Sequence, residues 1–124
     1  MPVQLNKRVL GVVEDLIFIV KIADAAKRSG LQVQFVKTEQ DALSAVTEPP
    51  LLVIVDLNAN SVDPIDLISK LKSDGSKLAV IAFVSHVQGE LKQRAHDAGA
   101  DMVMARSAFS TNLPQILKRH SGSY

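Results

Sequence analysis

The sequence contains no cysteine. Disulfides, thiolate metal sites and cysteine nucleophiles are therefore excluded together, and a reducing cytoplasm is compatible with that count. Aromatic residues make up only 4% of the chain and tryptophan is absent, so the core has to be built from Val, Ile, Leu and Ala. A charge bias is lacking as well: 14 Lys and Arg stand against 13 Asp and Glu, a formal charge of +1. That balance gives no reason to invoke nucleic acid or an anionic membrane as partner. No apolar run approaches the roughly 20 residues that span a bilayer. Met1 to Arg8 has no long apolar run after its basic residues, so no signal peptide is expected there. A cytoplasmic protein is expected. What is present is 124 residues, 47% of them hydrophobic and 22% charged, which suits one domain spanning 1–124 around one core.

Two kinds of apolar segment alternate along the chain. Val9–Val13, Leu31–Val36, Leu51–Val55, Leu78–Val84 and Met102–Ala105 are short runs rich in β-branched residues. Runs of this kind between turn residues suit strands buried on both faces, the habit of parallel sheets. Leu31–Val36 differs, because Leu31, Val33 and Phe35 alternate with Gln32 and Gln34, as on an edge strand with one wetter face. The segments between have helical spacing. Ile19, Ile22, Ala23 and Ala26 mark the first helix, closed by Ser29-Gly30. Thr38 is an N-cap candidate for a second helix from Glu39 to Val46, which Pro49-Pro50 stops from continuing. Pro64 opens a third, closed by Ser73-Asp74-Gly75; a fourth runs from Gly89 to Ala98; the last is expected over Asn112–Arg119 with Pro114 in its first turn. Five βα units without a linker or repeat predict an α/β fold, a doubly wound five-stranded parallel sheet with helices on both faces. Ligands in that architecture lie at the carboxyl ends of the strands, at the topological switch point.

At those ends stand acids. The first strand leads into Glu14-Asp15 and the third into Asp56. If the two strands are neighbours, three carboxylates converge, and like charges so placed raise one another's proton affinity unless a cation neutralises them. Oxygen ligands of this kind suit Mg²⁺, with Asn58 able to add a backbone carbonyl. The plainer reading, acids capping strand ends and facing solvent, weighs about equally. Other chemistries find no support. Glu14-Asp15-Leu16-Ile17 would repel a nucleotide phosphate where a glycine-rich loop should be, the serines lack a glycine-flanked elbow, and no histidine pair has metal-ligand spacing. His86 and His96 are expected in solvated positions, and His120 in a frayed helix end at the surface.

In order and spacing these segments resemble the receiver domains of bacterial response regulators, over about Arg8 to Leu117. Val9-Leu10-Gly11-Val12-Val13-Glu14-Asp15 is similar to the first strand with its acidic pair, Asp56-Leu57-Asn58 to the phosphoacceptor segment, and Ala98-Gly99-Ala100-Asp101 to the run before the fifth strand. Val62-Asp63-Pro64 stands where the family usually has Met-Asp-Gly. The resemblance implies the flavodoxin-like strand order 2-1-3-4-5 and no enzymatic turnover. It implies Asp56 as phosphoacceptor and Mg²⁺ held by Glu14, Asp15, Asp56 and Asn58. The implied partners are a sensor histidine kinase or phosphotransfer protein, and a downstream protein meeting Glu90–His96, Met102–Ala105 and Leu113–Lys118, with Arg94, Lys92 and Gln115 as contacts. A homodimer is compatible with the resemblance as well.

The sequence departs from the family at four positions. Val84 stands at the usual Ser/Thr, Arg106 at the usual lysine, Ser107 at the usual proline and Val103 at the aromatic switch. A hydrogen bond to a charged group is worth roughly 1.5–3 kcal/mol, a large part of the about 5.5 kcal/mol a full two-state switch needs. Ser85 could supply the hydroxyl only by a one-residue slip, which strand alternation opposes. Arg106 is planar and always charged, able to hold a phosphoryl group or to lock onto Asp56 or Asp15 against Mg²⁺. Two readings follow: a phosphorelay receiver acting through protein contacts, which the acidic pocket favours, and a phosphorylation-independent pseudo-receiver, which the changed Val84, Arg106 and Ser107 favour. A flavodoxin-like cofactor binder is the third, opposed by the scarcity of aromatic residues and the acidic first loop.

Overall fold

The computed structural model describes residues 7–73, 77–85 and 89–120. They form five βα units: β1 (Arg8–Val12), α1 (Leu16–Arg28), β2 (Gln32–Val36), α2 (Glu39–Ala45), β3 (Leu52–Asp56), α3 (Pro64–Leu71), β4 (Val80–Val84), α4 (Gly89–Ala98), β5 (Met102–Ala105) and α5 (Arg106–His120). The strands make one parallel sheet in the order β2-β1-β3-β4-β5. β3 and β4, near the centre, are buried at every position. Their apolar side chains alternate between two cores. Leu10, Val12, Val53, Val55, Val80, Ala82 and Val84 pack with Ala42 of α2, Leu67, Ile68 and Leu71 of α3 and Ala95 of α4. Val9, Leu52, Ile54, Ile81 and Phe83 pack with α1 and α5 on the other face. β2 keeps Gln32 and Gln34 exposed and Val33 and Phe35 half-buried, as an edge strand should.

Local signals fix most helix starts. Thr38 and Asp63 cap α2 and α3 by accepting hydrogen bonds from Asp41 N–H and Asp66 N–H, and Pro64 occupies the first turn of α3. Gly30, at φ 73°, takes the chain out of α1. Some boundaries differ from the sequence expectation. β1, β2 and β3 each lie within one residue of it at either end, whereas β4 begins at Val80 rather than Leu78. The buried stripe of α1 is Phe18, Ile22 and Ala26, with Ile19 and Ala23 only half-buried. The expected close of α3 at Ser73-Asp74-Gly75 lies partly outside the described residues; its C-cap is Lys72.

The largest correction is α5. It begins at Arg106, directly after β5, and Pro114 lies inside it. The proline removes one hydrogen bond of the helical ladder, but Phe109, Leu113, Ile116 and Leu117 continue a single buried stripe across it. Burial of four large side chains outweighs the lost bond. Arg106 and Ser107 therefore belong to the first helical turn and not to a loop. His120 closes α5 half-buried, against the expectation of a surface residue, beside Val46, Pro50, Leu71 and Leu78; burial, then Arg119, lowers its pKa.

Ala98-Gly99-Ala100-Asp101 has a structural reason. Gly99 sits at φ 118°, and a Cβ there would lie 2.9 Å from Lys72 Cβ. Asp101 Oδ2 accepts from Val80 N–H at 2.8 Å and from Lys72 Nζ at 3.0 Å. The segment joins the end of α4 and the starts of β4 and β5 through one carboxylate.

Candidate functional site

Because β1 and β3 pair with Val12 opposite Val55, Asp56 and the Glu14-Asp15 pair emerge together at the carboxyl edge of the sheet. Burial and local donors then separate their roles. Both oxygens of Glu14 reach across to the loop after β3, accepting from Asn60 N–H at 3.0 Å and Ser61 N–H at 2.7 Å. The Ser61 hydroxyl and those two amides hold its pKa below the ordinary value. Asp15 is the N-cap of α1: Oδ1 accepts from Ile17 N–H at 2.9 Å. Its Oδ2 accepts from Arg106 Nη2 in an ion pair. Burial raises the Asp15 pKa, but the Ile17 amide and the Arg106 guanidinium outweigh it, and the net direction is downward.

Asp56 is the exception. It is 6% exposed, the one buried charged side chain among the described residues. Burial raises its pKa, and the charges of Asp15 and Glu14 add to that; Asn58 N–H, at 2.9 Å from Oδ1, and the more distant Arg106 charge oppose it without prevailing. Asn58 itself is exposed, and its Oδ1 accepts from Ser85 N–H at 2.7 Å, tying the loops after β3 and β4 together.

Arg106 lies over the Phe18 ring, its guanidinium carbon 4.6 Å from the centroid. Phe18 stacks on Phe83 at 4.8 Å and Phe83 on Phe109 at 4.7 Å. The scarce aromatics are thus concentrated in one column beneath the arginine, so the α1–α5 core is not purely aliphatic. Val84, at 2% exposure, belongs to the opposite core and presents no hydroxyl; Ser85 follows it, half-buried. Val103 is buried in that same core, and Ser107 is exposed in the first turn of α5. His86 lies outside the described residues; His96 is exposed.

The pocket's donor chemistry suits Mg²⁺, and its carboxylates already have partners within the protein. Among the described residues no three His, Cys, Asp or Glu side chains are placed to share a metal ion. Glu14 is turned to the Asn60–Ser61 amides, and Asp15 to Ile17 N–H and Arg106. On the α4–β5–α5 side, Lys92, Arg94 and Gln115 are exposed, whereas Leu113, Ile116 and Leu117 are buried. The sequence reading missed an exposed apolar patch at the start of α1, formed by Leu16, Ile17 and Val20. Among the described residues no helix is long and apolar enough to cross a membrane.

No family model matches the sequence, and no curated protein matches it. Solved structures do. A response regulator from Thermotoga maritima is similar with a TM-score of 0.78 and 23% identity over 96% of this chain and 100% of that one. The phosphorylated cyanobacterial phytochrome response regulator RcpA matches with 0.75 and 21% over 92% and 90%. A CheY-like receiver domain protein from Methanospirillum hungatei gives 0.79 and 18% over 92% of each chain. The chain has the flavodoxin-like fold of response regulator receiver domains.

Proposed function

We propose that this chain is a receiver module of two-component signalling, with Asp56 as its phosphoacceptor, and that it acts through protein–protein contacts. The observation that carries the reading is the emergence of Asp56 beside Glu14-Asp15 at the carboxyl edge of β1 and β3, in this fold. In the reaction, an Asp56 carboxylate oxygen attacks the phosphorus of a phosphohistidine on a sensor kinase or phosphotransfer protein. A P–O bond forms, the P–N bond breaks, and the imidazole leaves with the electron pair. Asp56 has to be ionised to attack, and its raised pKa makes the neighbouring Arg106 charge useful in keeping it so. With Val84 at the hydroxyl position, the acyl phosphate lacks one family donor. The downstream partner meets the exposed part of α4, β5 and α5, where Lys92, Arg94 and Gln115 stand.

A phosphorylation-independent module is the second reading, favoured by the Arg106–Asp15 pair. The test is intact-mass spectrometry after incubation with Mg²⁺ and acetyl phosphate, beside Asp56→Ala. One phosphoryl adduct that is absent from the variant is expected. Persistent lack of an adduct in the folded protein refutes the acceptor role and leaves the second reading.

A further inference from the structure

We propose that Arg106 is the pocket's resident cation, and that it keeps divalent metal out of the site until it is moved away from Asp15. The inference rests on the receiver reading only for its chemical setting, since it concerns which cation neutralises these carboxylates.

Both oxygens of Glu14, both of Asp15 and one of Asp56 already accept hydrogen bonds; among the described residues only Asp56 Oδ2 has no donor. Hydrogen bonds alone would not exclude a metal, because each carboxylate oxygen keeps a second lone pair. The guanidinium excludes it by charge. It holds Oδ2 of Asp15, one of the carboxylates an ion would have to share with Asp56, and a divalent cation there would meet a fixed positive charge at contact range. Mg²⁺ also demands near-octahedral geometry and gives up its water reluctantly.

Three features keep Arg106 in place. Its backbone opens α5 directly after β5, with no loop between them to let it drift. Its guanidinium lies over Phe18, which is backed by the stacked rings of Phe83 and Phe109. The Arg106 and Asp15 side chains are 33% and 29% exposed, so the pair is more sheltered from solvent than a surface ion pair. A lysine at this position would be a compact, strongly hydrated point charge; a planar guanidinium can pair with a carboxylate and lie on a ring at once.

The test is Mn²⁺ binding, read by electron paramagnetic resonance of the free ion, in the unaltered protein, in Arg106→Met and in Arg106→Met combined with Asp56→Asn. Methionine keeps an unbranched stem against Phe18 and removes the charge. Arg106→Met is expected to bind Mn²⁺ at least about tenfold more tightly than the unaltered protein, and the double variant is expected to lose that gain. Equal affinity in the unaltered protein and Arg106→Met overturns the proposal. A second measurement needs no variant: the Arg106 Nε–H resonance should stay in place as Mg²⁺ is raised into the millimolar range, and its displacement by sub-millimolar Mg²⁺ also overturns it. The two readings separate cleanly. If Arg106→Met gains Mn²⁺ affinity while acetyl phosphate labels neither protein, the metal-exclusion proposal stands and the phosphoacceptor role falls. If the unaltered protein is labelled and binds Mn²⁺ as tightly as the variant, the reverse holds.

Discussion

Replacing Asp56 by Asn should stabilise the protein at neutral pH, and the size of the gain follows from the pocket. Asp56 is 6% exposed, and among the described residues its carboxylate accepts one hydrogen bond, from Asn58 N–H. One charge-assisted bond is worth roughly 1.5–3 kcal/mol, whereas desolvating a carboxylate costs several kcal/mol. The nearest cation is paired with Asp15, and two further carboxylates stand close by. The net is a destabilising charge of about 1–2 kcal/mol, which Asn removes while keeping an oxygen for the Asn58 amide. The sign with pH follows from linkage. The Asp56 pKa is raised in the folded state, so as pH rises from the ordinary carboxylate value of about 3.9 through the folded value, the unfolded chain holds fewer protons and stability falls. The advantage of Asp56→Asn is therefore fully present above that window and fades as pH drops through it. Urea unfolding followed by far-UV circular dichroism at pH 7 and near pH 4 measures both; in a thermal scan at pH 7 the melting temperature should rise by roughly 3–10 °C. A variant that is less stable at pH 7, or a gain that does not change with pH, refutes the charge argument.

Gly99→Ala places a methyl group 2.9 Å from Lys72 Cβ at a φ of 118°. It should cost about 2–3 kcal/mol in the same urea assay, whereas a cost under about 0.5 kcal/mol refutes the account of that turn. Phe83→Leu removes the middle ring of the column, losing two stacked contacts of about 0.5–1.5 kcal/mol each beyond the lost volume. The expected cost is about 2–3 kcal/mol, and a near-neutral result means the rings act merely as apolar bulk.

Strands were legible because buried parallel strands leave continuous apolar runs, and Thr38, Pro64 and Gly30 mark ends through backbone chemistry that acts locally. α1 resisted for the opposite reason. Leu16 to Val20 is apolar all round, so spacing could not show that Phe18 turns inward while Leu16, Ile17 and Val20 turn out. Pro114 resembles a start signal, so spacing alone predicts a shorter α5; only the tertiary stripe from Phe109 to Leu117 reveals an internal proline. In the pocket, the meeting of Asp56 with Glu14-Asp15 followed from strand order. Whether Arg106 would choose Asp56 or Asp15 did not, nor did the Glu14 clamp on Asn60 and Ser61, since both depend on where loops and helix starts lie in space.

The three carboxylates show how one edge of a sheet separates like groups by local donors alone. Glu14 is neutralised by amides and a hydroxyl, Asp15 by an amide and a guanidinium, and both are held below their ordinary pKa. Asp56, placed deepest by the strand that carries it, receives one amide and is pushed the other way. Divergent proton affinities within one cluster are the mark of groups assigned different tasks. Here the two depressed acids build the walls, one fastening the β3–α3 loop and the other capping α1 and holding Arg106. The one whose charge is costly keeps an oxygen that no donor among the described residues claims. Moving Arg106 from Asp15 towards Asp56 would stabilise that charge and leave Asp15 to its amide donors, so the two aspartates compete for one guanidinium.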